Sequence, residues 1–171
     1  MISIEVATED DLRSVAEVHS KAVREAYPEV LPREIFDPEF VAPEKMEREY
    51  RALFEGFGPR DTLLKAVADG KVVGVCACGD DTELKEVGTG YLQRVYVDPE
   101  WWGRGVGSAL VDRAMKLLAG HGFSKAALQV LEKNKKARAF YEKRGWQFEQ
   151  VVRVKSIGLE LRYARSLSDV I

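Results

Sequence analysis

The hydrophobic residues of the chain recur with two different periods, which divide the sequence into strands and helices. Runs with alternating apolar and polar residues, or rich in β-branched residues, predict strands. Runs with apolar residues three and four positions apart predict amphipathic helices. The predicted strands cover residues 2–7, 62–68, 71–79, 91–97, 125–131, 146–154 and 157–163, and the predicted helices cover residues 9–26, 43–54, 106–118 and 134–144. This order (β, α, α, ββ, βαβα, ββ) is typical of a mixed α/β or α+β sheet.

Short local signals mark several of the boundaries. Thr8 followed by Asp11 has the spacing of a helix-capping pair. Asp69-Gly70 suits the positive φ angles of a tight hairpin turn between the second and third strands. Prolines are concentrated between residues 28 and 59. We therefore expect residues 28–61 to be mostly loop, interrupted by the second helix.

Length and charge exclude several classes of protein. The 171 residues suffice for one core and not for two ordinary domains, so we expect one domain over residues 1–171. A formal net charge of -2 provides no overall attraction to nucleic acid or to an anionic membrane. Cys76 and Cys78 lie two apart in a predicted strand, as core side chains do, so neither a disulfide framework nor a zinc site is expected. With no apolar run long enough to span a bilayer, a cytoplasmic protein is the expectation.

Three glycines, Gly103, Gly105 and Gly107, stand directly before or within the start of the third predicted helix. A helix N-terminus exposes unpaired N–H groups with a partial positive charge, which bind phosphate. Glycine lets that backbone come close to an anion. Because Gly107 costs about 1 kcal/mol of helix propensity relative to Ala, an anion site is favoured over a simple tight turn.

Two well-known phosphate loops do not match this spacing. The P-loop, G-x-x-x-x-G-K-[ST], requires a lysine that the stretch lacks. The dinucleotide fingerprint, G-x-G-x-x-G, places Ser108 or Leu110, depending on the register, where its third glycine belongs. A nicotinamide-dependent oxidoreductase is therefore a weak alternative.

Two motifs resemble the GNAT superfamily of acyl-CoA-dependent N-acetyltransferases. Residues 102–107, WGRGVG, resemble its phosphate motif [Q/R]-x-x-G-x-[G/A]. Residues 134–146, NKKARAFYEKRGW, resemble its N-x-x-A-x-x-[FY]-Y-x-x-x-G-[FW] element. The resemblance implies a GNAT-like α+β fold. Such a fold has a central twisted mixed sheet of about six to seven strands, about four flanking helices and a V-shaped cleft between the two central strands.

The resemblance also implies acetyl-CoA as co-substrate and names the residues that would hold it. Main-chain amides from Arg104 to Ser108 would bind the pyrophosphate, and main-chain groups of Val95 and Val97 would pair with the pantetheine arm. Tyr141 would be the catalytic residue, because a phenol with a pKa of about 10 stays protonated at neutral pH and can donate a proton to the departing thiolate. The implied cofactor-binding residues are Val95, Tyr96, Val97, Trp102, Gly103, Arg104, Gly105, Val106, Gly107, Ser108, Asn134, Ala137 and Tyr141.

Some of these positions have a second interpretation. Asn134 is equally suited to be the N-cap of its helix. Tyr141 can be a core aromatic residue beside Phe140. A basic cluster around this helix is expected to be a solvated face, with binding of the CoA 3'-phosphate as the other interpretation; its members are Lys133, Lys135, Lys136, Arg138, Lys143 and Arg144.

The sequence departs from the family pattern at two positions. Trp102 stands where Gln or Arg is usual, which suggests that the backbone holds the anion. Tyr91 stands where the family often carries a glutamate base, so the general base is unassigned. The candidates are Glu83, Glu86 and His19, each with a simpler interpretation: a solvated acidic loop for the glutamates and a hydrogen-bonded residue at the core's edge for His19.

Together these features favour transfer of acetyl from acetyl-CoA to a primary amine by direct attack on the thioester. A non-catalytic acyl-CoA sensor is the alternative. The acceptor is expected to be a small-molecule amine or a peptide or protein amino group, and a homodimer stays open. Residues 19–57 and 80–90 would shape the acceptor site, and their aromatic bias tilts slightly toward a small amine or a peptide N-terminus: Tyr27, Phe36, Tyr50, Phe54 and Phe57.

Overall fold

A single mixed sheet runs through the described part of the chain. The structure is a computed structural model that describes residues 1–31, 38–155 and 158–170. Within these residues the sheet has seven strands in the order β1-β2-β3-β4-β5-β7-β6. The strands are β1 (Ile2–Val6), β2 (Thr62–Ala68), β3 (Lys71–Asp80), β4 (Thr89–Val97), β5 (Lys125–Leu131), β6 (Gln147–Lys155) and β7 (Gly158–Ser166). The helices are α1 (Leu12–Ala26), α2 (Pro43–Glu55), α3 (Val106–Gly120) and α4 (Lys135–Glu142).

The predicted strands and helices are confirmed, with small shifts at their ends. Thr8 and Asp11 form the predicted capping box, but it encloses one turn of 3-10 helix, and α1 begins after it at Leu12. The Asp69-Gly70 turn has φ angles of 50° and 72°, as the tight hairpin requires. Phe36 lies outside the described residues. No helix among the described residues has the length and apolar character needed to cross a membrane.

Helices cover both faces of the sheet and create two cores. On one face, α3 packs its buried residues, among them Leu110 and Leu118, against the strands. On the other face, α1 and α2 enclose a second core that includes Leu12 and Tyr50. Cys76 and Cys78 both belong to the α3 core, and burial raises the pKa of the Cys78 thiol to about 12. Both thiols are therefore protonated packing groups.

The two central strands part from one another. β4 and β5 are parallel, and their pairing runs from Thr89↔Lys125 to Leu92↔Leu128. Beyond Leu92, β4 stays paired with β3 and β5 stays paired with β7, but β4 and β5 no longer pair with each other. The predicted V-shaped cleft is this fork in the sheet.

Gly79 near the end of β3 allows a test of close packing. A Cβ at this position would lie 2.7 Å from Asp61 Cγ and 2.9 Å from Asp61 Cα. The Asp61 carboxylate accepts hydrogen bonds from the backbone amides of Gly58 and Asp80. We expect Gly79→Ala to lower the free energy of unfolding by about 1–3 kcal/mol, because the carboxylate must leave its two amide donors.

The measurement is urea denaturation, with Gly120→Ala as the matched control. A Cβ at Gly120 would meet no atom within 4 Å, and alanine is the better helix former. Gly120→Ala should therefore unfold at the same or a slightly higher urea concentration than the parent. Equal midpoints for both variants would show that Asp61 adapts without loss.

Candidate active site

A β-bulge in β4 lies at the point where this strand separates from β5. Ala77 pairs with Arg94 and Cys78 pairs with Leu92, so Gln93 is an extra residue on β4. This extra residue shifts the alternation of side chains, so that residues beyond it face the opposite side of the sheet from the one that regular alternation would give. Beyond it, Val95 and Val97 pack toward the α3 core, whereas Tyr96 packs toward α1 and α2.

The edge of β4 beyond the bulge presents main-chain groups to the fork. The amide of Asp98 donates to Val73 on β3, and main-chain groups of successive residues point to opposite sides of a strand. The amides and carbonyls of Val95 and Val97 therefore point away from β3, toward the gap. The carbonyl of Val97 accepts a hydrogen bond of 2.8 Å from Trp102 Nε1. The half-exposed indole of Trp102 thus lies across this edge, with Lys136 Nζ 5.2 Å from its ring centroid.

The glycine turn leaves the start of α3 open. Gly103 and Gly105 have φ angles of 74° and 82°, a region that side chains with a Cβ rarely adopt. Gly105 is the N-cap, and the first intrahelical bond runs from the Ala109 amide to the Gly105 carbonyl. The amides of residues 106–108 precede this bond and are therefore directed out of the helix end. Together with the helix dipole, they form an arrangement suited to an anion.

Close packing does not require a glycine at position 107. A Cβ there would be 3.6 Å from both Val97 Cγ2 and Phe140 Cζ, which is ordinary contact. Space for a methyl group therefore exists between the helix start, the end of β4 and α4. A glycine at this position leaves the mouth of the fork wider than the packing requires.

Two arginines of the basic cluster are only partly exposed and make hydrogen bonds within the fold. Arg144 donates to Ser108 Oγ at 2.7 Å and to Asp112 at 2.9 Å, which ties α4 to the start of α3. Arg138 donates to the Tyr163 hydroxyl and to the Glu132 carbonyl. Both side chains stay partly exposed, so the expected solvated face is confirmed for them only in part, because the fold brings polar groups beside them that are distant in sequence.

α4 brings Asn134 and Tyr141 to the fork. The Asn134 side chain accepts a hydrogen bond from the Ala137 amide and so caps the helix, which matches its second interpretation. The half-buried Ala137 packs against the α3 core. Tyr141 is 8% exposed and its ring contacts Phe140 and Trp146 edge-on. Burial raises the pKa of the Tyr141 phenol, with further contributions from Cys76, Tyr96 and Tyr91, so its proton is retained at neutral pH.

The glutamate candidates for the general base lie at the paired end of β4 and are held in ion pairs. Glu83 accepts a hydrogen bond from Arg153 at 2.9 Å. Glu86 pairs with Lys125 at 2.8 Å and with Arg162 at 3.1 Å. Lys125 is the main reason that the pKa of Glu86 lies below its usual value. Such a carboxylate is a weak proton acceptor.

His19 lies at the open end of β4, buried between two tyrosines. Its ring stacks on Tyr96 with centroids 3.7 Å apart, and its Nδ1 is 3.0 Å from the Tyr50 hydroxyl. Burial, assisted by the charge of Arg94, lowers the pKa of His19 to about 3. The imidazole is therefore neutral at physiological pH, in the hydrogen-bonded position that the sequence favoured.

Tyr91, which replaces the glutamate of the family pattern, points to the α1 side of the sheet with Ala127 and Ala164. Burial raises the pKa of its phenol, and the negative charges of Glu83, Glu160 and Asp81 raise it further. Tyr91 is therefore a protonated hydrogen-bond donor at neutral pH.

Neutral His19 makes the fold sensitive to acid. The pKa of His19 is about 3 in the folded chain and about 6.5 in the unfolded chain. Its contribution to the free energy of unfolding is therefore complete above pH 6.5 and is lost as the pH falls toward 3. Between pH 7.5 and 5.5 we expect the free energy of unfolding to fall by about 1 kcal/mol. Denaturation at the two pH values measures this. His121→Gln should keep the decrease and His19→Phe should abolish it; a decrease that persists in His19→Phe would exclude His19 as its source.

Comparison with known proteins identifies the family. The model of the Acetyltransferase (GNAT) family matches residues 30–146. An uncharacterised N-acetyltransferase of Methanocaldococcus jannaschii is 30% identical over 157 residues, which are 88% of this chain and 63% of that protein. An uncharacterised N-acetyltransferase of Mycobacterium tuberculosis is 32% identical over 91 residues, 52% of this chain and 54% of that protein. The chain thus matches less than two thirds of the length of these relatives.

Solved structures confirm the predicted fold. The PaiA N-acetyltransferase of Thermoplasma acidophilum, solved in complex with coenzyme A, superposes with a TM-score of 0.72 at 20% identity, over 95% of this chain and 98% of that one. The ribosomal-protein-S18-alanine N-acetyltransferase of Escherichia coli superposes with a TM-score of 0.69 at 19% identity, over 98% and 95%. With the family model matching more than half of the sequence, the chain belongs to the GNAT family of acetyltransferases.

Proposed function

We propose that this chain transfers an acetyl group from acetyl-CoA to a primary amine. The observation that carries the proposal is the fork itself: the unpaired edge of β4 ends beside the open N-terminus of α3 and beside Phe140 on α4, whose neighbour Tyr141 is a buried phenol. We further propose that residues 1–171 form one acetyltransferase domain, since β1 and β7 belong to the same sheet.

The residues at the fork fit acetyl-CoA. The amides of Val106, Gly107 and Ser108 suit the pyrophosphate, because Gly103 and Gly105 leave no side chain within 4 Å of the positions where their Cβ atoms would lie. The main chain of Val95 and Val97 suits the amide groups of the pantetheine arm, as in the addition of a strand to a sheet. Arg104 and Lys136 are exposed cations near the turn.

When bound, acetyl-CoA supplies an activated acetyl thioester. The fork holds the amine beside it, which replaces a bimolecular encounter by a local one. A C–N bond forms to the acetyl carbon and the C–S bond breaks. Tyr141 donates its phenolic proton to the sulfur as thiolate leaves, and recovers a proton from those that the amine nitrogen loses. An acceptor that starts as an ammonium loses two protons in the reaction. One of them restores the phenol of Tyr141, and the other passes to solvent.

Tyr141→Phe tests the proton donor. We expect kcat to fall by about 100-fold, because an unprotonated thiolate is a poorer leaving group, while the dissociation constant of CoA changes less than about twofold. Thiol release with an amine panel and calorimetry with CoA measure the two quantities. Tyr163→Phe is the matched control, since that phenol is equally buried but its hydroxyl is bonded to Arg138 and Glu142, and it should leave kcat within about twofold. An unchanged kcat in Tyr141→Phe would refute the assigned role, and CoA binding without thiol release would favour the sensor.

Trp102→Phe tests the strand-like binding of pantetheine. The indole N–H of Trp102 donates to the Val97 carbonyl. Phenylalanine lacks this donor, so the carbonyl becomes free to accept a hydrogen bond from the cofactor. We expect the dissociation constant of CoA to fall by about two- to tenfold, the effect of one hydrogen bond. Trp101→Phe is the control, because that ring stacks under Arg104 and packs on the core. Weaker CoA binding in Trp102→Phe would mean that the indole itself holds the cofactor.

A further inference from the structure

On the α1 side of the fork, two buried hydrogen-bond donors have no acceptor among the residues that the structure describes. Gln129 is the first residue of β5 beyond its last pair with β4, and it faces Arg162 across the β5–β7 ladder. Within the described residues, Gln129 Nε2 and Arg162 Nη1 are buried and have no hydrogen-bond partner. Leaving such groups unsatisfied costs about 1–3 kcal/mol each, so a ligand acceptor would be strongly favoured there.

Arg162 is held rigidly by its other nitrogens. Its side chain is 0% exposed, and Nη2 donates to Asp81 at 2.7 Å and to Glu86 at 3.1 Å. Nε donates to Glu149 at 3.2 Å. The guanidinium is planar, so these contacts fix the direction of Nη1 as well.

The surrounding charges select the kind of acceptor group. The carboxylates outnumber the cations here by five to three, which leaves two negative charges in excess: Asp81, Glu83, Glu86, Glu149 and Glu160 against Lys125, Arg153 and Arg162. A carboxylate would be repelled by this excess, whereas a neutral carbonyl would not. A nearby ammonium would be attracted.

Aromatic side chains line the same side of the fork. Tyr91 shares its sheet face with Gln129 and Arg162. Tyr96 packs beyond the bulge toward α1 and α2, and its ring stacks on His19. Tyr91 and Tyr96 thus lie on the side of the sheet opposite α3.

From these contacts we propose that the acceptor is an α-amino amide, such as the amino end of a peptide, whose carbonyl oxygen binds Gln129 Nε2 and Arg162 Nη1. This rests on the proposed acetyl transfer and adds the substrate class. Gln129 is a specificity-determining residue here: it binds the acceptor's carbonyl and takes no part in the cleavage of the thioester.

Three acceptors of matched skeleton test the proposal: alaninamide, isopropylamine and alanine. With rates expressed per unprotonated amine, kcat/KM for alaninamide should exceed both others by at least about tenfold. Gln129→Leu should remove about tenfold for alaninamide and leave isopropylamine and CoA binding within about twofold. Its free energy of unfolding should be equal or higher, because a buried unsatisfied donor is removed. Gln150→Leu is the control, since this exposed glutamine faces Arg162 from β6.

The possible outcomes distinguish a failure of the proposed acceptor class from a failure of the proposed acetyl transfer. Acetylation of isopropylamine as efficiently as alaninamide, or an equal loss for both in Gln129→Leu, overturns the substrate class and leaves acetyl transfer standing. A preference for alanine overturns the charge argument. Binding of acetyl-CoA without acetylation of alaninamide also overturns the inference. Failure to bind acetyl-CoA in calorimetry refutes the proposed function, and the inference with it.

Discussion

The separation of β4 from β5 after Leu92 and Leu128 is the constraint on which the rest of the structure depends. A strand in the middle of a sheet normally has both edges paired, and unpaired main-chain groups away from water are unfavourable. Here the free edge is kept in place by β3 on one side, by α3 below it and by Trp102 at its end. The fold therefore maintains an open binding edge in its centre and not at its border.

The bulge at Gln93 gives the two sides of the fork different chemistry. It directs Val95 and Val97 to the α3 side, where Tyr141 and the open helix end lie. It directs Tyr96 to the α1 side, beside neutral His19. The first side is apolar and ends in a turn whose amides suit an anion, and the second is polar and acidic. An anionic cofactor and a cationic acceptor can thus approach one point from opposite directions without sharing a surface.

Sequence reasoning was reliable where the signal is local. Period, turn dipeptides and capping residues gave nearly all element boundaries, since hairpin and helix signals lie within a few residues. The bulge was missed because Gln93 differs in no visible way from an ordinary strand residue. The Arg162 network was missed because its partners Asp81 and Glu86 are 81 and 76 residues away. Position in the strand could have suggested Gln129, but only the register shows that it is the first residue past the fork.

The buried guanidinium of Arg162 is hard to explain by stability alone. Removing a charge from water is costly, and well-packed apolar residues often stabilise a fold as well as a buried ion pair does. Three carboxylates offset that cost at Nε and Nη2. In the described part of the chain, however, neither Nη1 nor the amide nitrogen of Gln129 on the adjacent strand has a hydrogen-bond partner. Arg144 Nε and Trp146 Nε1 are likewise buried without a partner among the described residues, but Gln129 and Arg162 differ from them because they face each other on adjacent strands directly beyond the last pair of β4 with β5. Donors that are fixed in direction, buried and unsatisfied at the apex of a fork are instead what selective binding of a carbonyl requires.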